Sequence, residues 1–404
     1  MLTRLAGTIL AASIAGSTPA AAQQAPLPAA GWNDGFFLQT PDGENRLQIG
    51  AVVQTDGRFS VDDPLPITNT FTMRKVRASF QGRIGRYFDF RVMPELAGSV
   101  VLLDGYFDIR FSPKLRLRSG KDKTPIGYEL LIGDPALVLP ERSLVSQLVP
   151  NRDVGFQAQG DLAGGRLLYS GGIFNGNPVD GTSGTTDLDT NDGKDLAGRV
   201  VFLPFRLVKG SRLANFGVHL GGSTGKQSGT LPAYRTSIGQ TFFAYATGTT
   251  ADGDRTRVTP AVFLYSGRFG GFAEHVRTTS DVTRGGTRSS LAHQAWDVTA
   301  TYVLTGETTS ERGVRPRAPF DPAAGHWGAL QAVARYGELT VDDAVFAAGL
   351  AASNASRKAR QLTVGANWYL HNYVKVYATY EHFSFDSGGR DAENSIVFRT
   401  QLAF

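Results

Sequence analysis

Ser395-Ile396-Val397-Phe398-Arg399-Thr400-Gln401-Leu402-Ala403-Phe404 is the stretch that decides the fold. With side chains alternating along a strand, Ile396, Phe398, Leu402 and Phe404 share one face, and Arg399 and Gln401 lie on the other. An apolar/polar dyad closing on Phe is the pattern of the last strand of an outer-membrane β-barrel, with lipid outside and water inside.

The rest of the chain reads the same way. From about Arg46 it breaks into short alternating segments separated by Gly, Pro, Asp and Asn. Sixteen candidate strands begin near Arg46, Phe71, Tyr87, Leu102, Lys114, Arg152, Arg166, Asp195, Leu213, Arg257, Gly271, His293, Trp327, Gln361, Tyr373 and Asn394. Each is about ten residues, the span a tilted strand needs to cross a bilayer. Short turns alternate with long connections at 124–151, 175–194, 223–255 and 339–360, as expected where turns face the periplasm and loops face outward. The connection at 305–326 is long where a short turn is expected. The stretch from Thr241 to Thr247 reads as a further strand or as loop structure.

The expected fold is therefore all-β: a 16-stranded antiparallel transmembrane barrel spanning residues 45–404. Residues 1–22 have a basic start, an apolar run from Leu5 to Ala15 and an Ala20-Ala21-Ala22 end, the pattern of a cleaved secretory signal. Residues 23–44 are expected to be an irregular periplasmic segment. No stretch has about 18 consecutive apolar residues, so no transmembrane helix is encoded. A hydrophobic content of 41% with 48 Gly suits a barrel, in which only alternate residues must be apolar. The absence of Cys removes disulfides, thiol catalysis and thiolate metal sites.

Period two assigns the faces. Trp296, Val298, Tyr302 and Leu304 face lipid while Asp297, Thr299 and Thr301 face the lumen; Leu362, Val364 and Trp368 face out while Gln361, Thr363, Asn367 and Tyr369 face in. The inward set is basic: Arg58, Lys75, Arg77, Arg91, Arg110, Arg116, Arg118, Arg199, Arg335, Lys375 and Arg399, against Asp56, Asp89, Asp104, Asp108, Asp297 and Glu381. Such an excess raises the local anion concentration between low-dielectric walls. Arg stays charged and offers a fork to phosphate or carboxylate oxygens. The alternative is that these residues pair across strands and hold the barrel open.

A sixteen-strand bore needs something to narrow it. The connection from Thr124 to Asn151 carries Ile126, Leu130, Leu131, Ile132, Leu137, Val138 and Leu139. It is too apolar for a freely solvated loop and is expected to fold inward as a constriction; an exposed loop with a sticky patch is the alternative. Lys121 and Lys123 lie at its root, and Glu141, Arg142 and Arg152 lie in or just after it. Other chemistry finds little support. Asp187 to Gly193 imitates a calcium loop, but its Gly is one place late and position twelve is Gly198 rather than Glu. The six His show no metal-ligand spacing, and no Gly-x-Ser-x-Gly elbow occurs.

Several motifs carry a resemblance. Tyr302-Val303-Leu304-Thr305-Gly306-Glu307, Arg335-Tyr336-Gly337-Glu338-Leu339 and Val364-Gly365-Ala366-Asn367-Trp368-Tyr369 are similar to segments of the phosphate-selective porin O and P family. So are Gly120-Lys121-Asp122-Lys123-Thr124-Pro125-Ile126-Gly127, Glu141-Arg142-Ser143-Leu144 with Arg152-Asp153-Val154-Gly155, and Arg74-Lys75-Val76-Arg77. The resemblance implies a Gram-negative outer-membrane barrel, usually a homotrimer, with an arginine ladder passing phosphate or related anions. Arg74, Lys75 and Arg77 match the basic strand, and Lys121 matches the central lysine. The chain departs from the family at two places. An Arg-Arg doublet reads Arg74-Lys75, and Gly-Gly-Arg reads Gly50-Ala51-Val52, which puts Val52 where a lumen arginine is expected.

The function expected is passive diffusion of small anions, phosphate or polyphosphate among them, past Arg58, Arg74, Lys75, Arg77, Arg116, Arg118, Lys121, Lys123, Arg142, Arg152, Arg199 and Arg335. No cofactor, metal, nucleic acid or catalytic residue is expected; outer-membrane lipid and lipopolysaccharide are the expected surroundings. The alternatives are a non-selective porin, a non-transporting barrel whose external loops bind a partner, and an outer-membrane hydrolase.

Overall fold

The computed structural model describes residues 29–61, 68–177, 189, 191–386 and 388–404. The signal expected at 1–22 lies outside them, as do Asp187, Leu188 and Thr190 of the calcium-like stretch. Sixteen antiparallel strands form one closed barrel. In chain order they are β1 (Arg46–Ser60), β2 (Thr70–Ile84), β3 (Phe88–Glu95), β4 (Val101–Ser112), β5 (Leu115–Lys123), β6 (Arg152–Leu162), β7 (Leu167–Phe174) and β8 (Asp195–Phe202), followed by β9 (Phe216–Gly229), β10 (Thr250–Ser266), β11 (Phe269–Arg284), β12 (Thr287–Val303), β13 (Ala329–Thr340), β14 (Lys358–His371), β15 (Val374–Phe385) and β16 (Glu393–Ala403). Each pairs with the next, and β16 closes on β1 through the register Arg399↔Asp56 and Gln401↔Gln54. Every strand therefore has two partners and no open edge faces lipid, which a barrel requires in hydrocarbon.

The alternation holds around the wall. Phe71, Phe107, Phe156, Leu220, Val258, Trp296, Tyr302, Leu362 and Phe398 are exposed to the lipid side, and Asp297, Thr299, Gln361, Thr363, Asn367 and Arg399 are buried inside. One place breaks period two to a purpose. Between Gln54↔Lys75 and Thr55↔Met73 the register skips Arg74. A bulge lets two residues oppose one, so Arg74 and Lys75 both reach the lumen from adjacent positions.

The wall is uneven. β3, β7 and β8 have 8 residues each, whereas β10 and β12 have 17. These tall strands start at Thr250 and Thr287, earlier than the expected Arg257 and His293, and pair polar residues above the apolar band. The stretch expected as strand or loop resolves as Thr241–Phe243 paired with Tyr234–Arg235 inside the loop after β9.

Connection 124–151 does fold into the bore. Glu274 of β11 accepts the Tyr128 and Glu129 amides at 2.6 and 3.0 Å, satisfying the free N–H groups that open the short helix Tyr128–Leu131. Thr259 donates to the Ile126 carbonyl at 2.9 Å. Opposite Ile126 the wall carries Gly221, where a Cβ would collide with the Ile126 backbone. Ile126, Leu130, Leu144, Val145 and Leu148 pack with Val276, Leu291, Ala295 and Leu339 in one apolar cluster. Tyr128, Ile132 and Leu137 join Phe263, Tyr265 and Phe272 in a second. The half of the bore beside β9–β13 is thus filled, and the open space lies against β1–β6 and β14–β16.

Connection 304–328 owes its length to the same interior. It turns back into the bore, where Val314 packs with Val303, Ala329 and Tyr369. The Thr309 amide donates to Gly267 O at 2.8 Å. Residues 29–39, expected to be irregular, contain two short strands. Phe36–Gln39 pairs with Arg46–Ile49 of β1, and Ala29–Trp32 pairs with Phe36–Gln39. The pairing begins where β16 leaves β1, because Ala403↔Val52 is the last rung of that seam.

Candidate functional site

Two cavities flank the inward connection. The outer one, about 340 Å³, is lined by Arg58, Arg74, Lys75, Glu141, Arg142 and polar groups of the loop after β9. The inner one, about 620 Å³, is lined by Val52, Arg91, Met93, Lys123, Leu131 and Arg312 among others. Arg77, Asp134 and Arg152 line both, which marks the narrow passage between them.

The passage is built around Asp134, at the tip of the inward connection. It takes Lys75 at 2.9 Å, Arg142 at 2.7 Å and Arg77; Arg77 also grips Glu95 at 2.6 Å. Burial alone would push the Asp134 carboxyl up, but Lys75, Arg142 and Arg77 override it and hold the group well below the usual carboxylate range. Glu141 repeats the arrangement above, with Arg58 at 2.5 Å, Arg74 at 2.8 Å and Arg399 at 3.0 Å. It too is raised by burial and pulled well below that range by Arg74, Arg399 and Arg58. Lower on the same wall Asp104 sits between Arg91 at 3.2 Å and Arg152 at 2.6 Å. Asp108 sits between Arg116 at 3.4 Å and Arg118 at 2.7 Å, and Asp89 between Arg83 at 3.1 Å and Arg110 at 3.3 Å.

The motif is one carboxylate clamped by two or three cations, repeated down one wall. With Asp56, Glu95 and Asp122 included, these groups hold 12 cations and 8 carboxylates, a surplus of 4 positive charges. Pairing, one of the two alternatives read from the sequence, is thus seen along this wall, and the acids fix the guanidinium geometry while a positive surplus remains. Arg118 is further held over the Tyr106 ring at 3.6 Å.

Nine of the twelve expected residues lie in or at the two cavities or in this column: Arg58, Arg74, Lys75, Arg77, Arg116, Arg118, Lys123, Arg142 and Arg152. Lys123 spends its ammonium on the Leu130 and Ile132 carbonyls at 2.6 and 3.0 Å. Arg199 lies apart, with Arg110 and Arg116 in a third space of about 750 Å³ toward the turn end.

One expectation needs correction, and one further residue lies outside the cavities. Arg335 is fully buried beneath the inward connection, bound to Glu129, Thr299 and the Glu141 carbonyl, so it anchors that segment instead of lining the path. Lys121 lines neither cavity; it is buried, in register with Gly105 and Val154. Lys375 and Arg399 likewise serve the loop, donating to carbonyls of Leu137 and Pro140.

Asp134 was not singled out by sequence reasoning. Its signal is a lone carboxylate amid Leu130, Leu131, Ile132 and Leu137: an acid inside an apolar segment that folds inward needs a cation waiting for it.

A sequence model of the phosphate-selective porin O and P family matches residues 47–404. No curated protein matches the chain. Solved structures of like fold include the outer membrane channel DcaP of Acinetobacter baumannii, at TM-score 0.58 and 12% identity over 89% of this chain and 97% of that one. The anion-selective porin from Comamonas acidovorans follows at TM-score 0.56 and 12% identity, over 89% of this chain and 100% of that one. Salmonella typhi OmpF gives TM-score 0.55 and 11% identity over 93% and 100%. At these identities the likeness is one of fold.

Proposed function

The chain belongs to the phosphate-selective porin O and P family of outer-membrane channels, and on that premise we propose that it passes small anions by passive diffusion. The observation that carries this is the column of carboxylates, each clamped by two or three cations, from Glu141 through Asp134 and Asp104 to Asp89. A clamped guanidinium keeps its charge, and those of Arg74, Arg91, Arg110 and Arg116, 31–39% exposed, have a free edge toward the path. An anion can exchange one such edge for the next, bound firmly enough to enter and weakly enough to leave. Phosphate is among the anions proposed. Arg58, Arg74, Lys75, Arg77, Arg116, Arg118, Lys123, Arg142 and Arg152 are the proposed pathway residues, with Arg199 toward the exit.

The rest of the reading goes with the family. Residues 1–22 are proposed as a cleaved signal and the assembly as a homotrimer, with lipopolysaccharide against the outer wall. The lumen is proposed to do no covalent chemistry. The test is the reversal potential of purified protein in planar bilayers under a potassium chloride gradient. Anion selectivity is the expected result; a cation-selective or silent protein would end the proposal.

A further inference from the structure

The two cavities differ in chemistry. The outer one is lined mostly by charged and polar groups, among them Arg74, Glu141, Ser143 and Asn151, with Leu130, Leu144 and Phe383 as its larger apolar members. The inner one sets cations against apolar surface. Arg77, Arg91 and Arg152 stand on its β2, β3 and β6 side. Val52 lies beside Arg77 in register, Met93, nearly buried, beside Arg91 along β3, and Leu131 and Pro135 of the inward connection add to the lining. Arg312, at the turn end, is exposed and makes no ion pair among the described residues.

An inorganic anion gains nothing from Val52, Met93, Leu131 and Pro135, which cannot replace its hydration. A carboxylate on a ring or branched carbon skeleton uses both sides: its oxygens take the open edge of Arg91 or Arg312, and its body sheds water against the apolar strip. The volume, about 620 Å³, is within the ordinary range for a small organic ligand.

We propose that the inner cavity selects organic monoanions with an apolar body, aromatic or alicyclic carboxylates, over inorganic phosphate. This rests on the reading of the lumen as an anion pathway. The acids that share the cavity, Asp34, Asp104, Asp122 and Asp134, disfavour multiply charged ligands and so act in the same direction.

The test uses three probes, benzoate, acetate and inorganic phosphate, as blockers of chloride current through the full protein in bilayers. Calorimetric titration of the detergent-solubilised protein runs alongside. A ring that loses even half its hydration against such a wall gains at least about tenfold over acetate. Benzoate is therefore expected to block and bind at one-tenth the concentration of acetate or phosphate, or less. Leu131→Ser should erase the gap between benzoate and acetate without weakening phosphate. Val52→Arg should raise phosphate binding at the expense of benzoate. Equal potency of benzoate and acetate, or phosphate strongest in the wild-type protein, overturns the inference while leaving anion selectivity intact. Loss of anion selectivity in the reversal potential instead overturns the reading of the lumen, and calorimetry still decides whether the benzoate site exists.

Discussion

Substituting Asp134 by Asn removes one negative charge from the narrowest part of the path and changes almost no volume. Asp134 pairs with Lys75, Arg77 and Arg142, and Arg77 also holds Glu95, so the substitution takes the group from one net positive charge to two. For an ion passing at about 6 Å, with an effective dielectric near 40, a unit charge is worth about 1.4 kcal/mol, a factor of about ten. The charge acts with opposite sign on anion and cation, which doubles its effect on their ratio, and counter-ions within a Debye length of about 8 Å return roughly that half. The anion-over-cation permeability ratio should therefore rise about tenfold. The inward connection stays docked, because Glu129, Ile126, Pro135 and Leu137 have their own partners on β10, β11, β13 and β15. Stability falls by about 3–5 kcal/mol, the cost of breaking a buried ion pair from one side. Reversal potentials give the ratio and thermal unfolding the stability. An unchanged or lower ratio would show that ions do not pass Asp134.

Other outcomes follow from the same geometry. Lys75→Glu should lower the permeability ratio by at least tenfold, because it reverses a charge next to Asp134; an unchanged ratio would remove Lys75 from the path. Gly221→Leu places a side chain where the Ile126 backbone lies, so the inward connection should lift and single-channel conductance rise about twofold, with an unaltered conductance counting against the docking. Acidification from about pH 7 to pH 5 should leave the connection docked. Asp134 and Glu141 are depressed in the fold, so their contribution is fully present above the unfolded carboxyl value and is lost only as pH falls through the depressed one. A conductance jump within that window would contradict the assignment.

The wall was legible because its physics is periodic. Lipid outside and water inside impose period two, and that alone places Asp297, Thr299, Gln361 and Arg399 indoors. The same rule explains where reading failed. Above the apolar band both faces are polar, so the first rungs of β10 and β12 leave no pattern, although their backbones still pair. Arg74 escapes parity because a bulge resets it. Asp134 and Glu141 lie in a segment without period, where burial comes from partners distant in sequence; their mates Lys75 and Arg399 are tens to hundreds of residues away. Arg335 shows the converse: parity put it correctly inside the barrel, but cannot tell a side chain that meets water from one roofed by a loop.

Trp32 has a meaning for how the cylinder is made. Its ring lies 5.1 Å from Phe404 and 4.7 Å from Phe36, and its indole N–H donates to the Tyr373 hydroxyl at 2.9 Å. It therefore touches both margins of the seam, one brought by the earliest described residues and the other by the latest. That environment can form only once some 350 intervening residues have been laid into the wall in register. The indole is a built-in optical marker of completed closure, and its emission should change last, after the strands between have already formed.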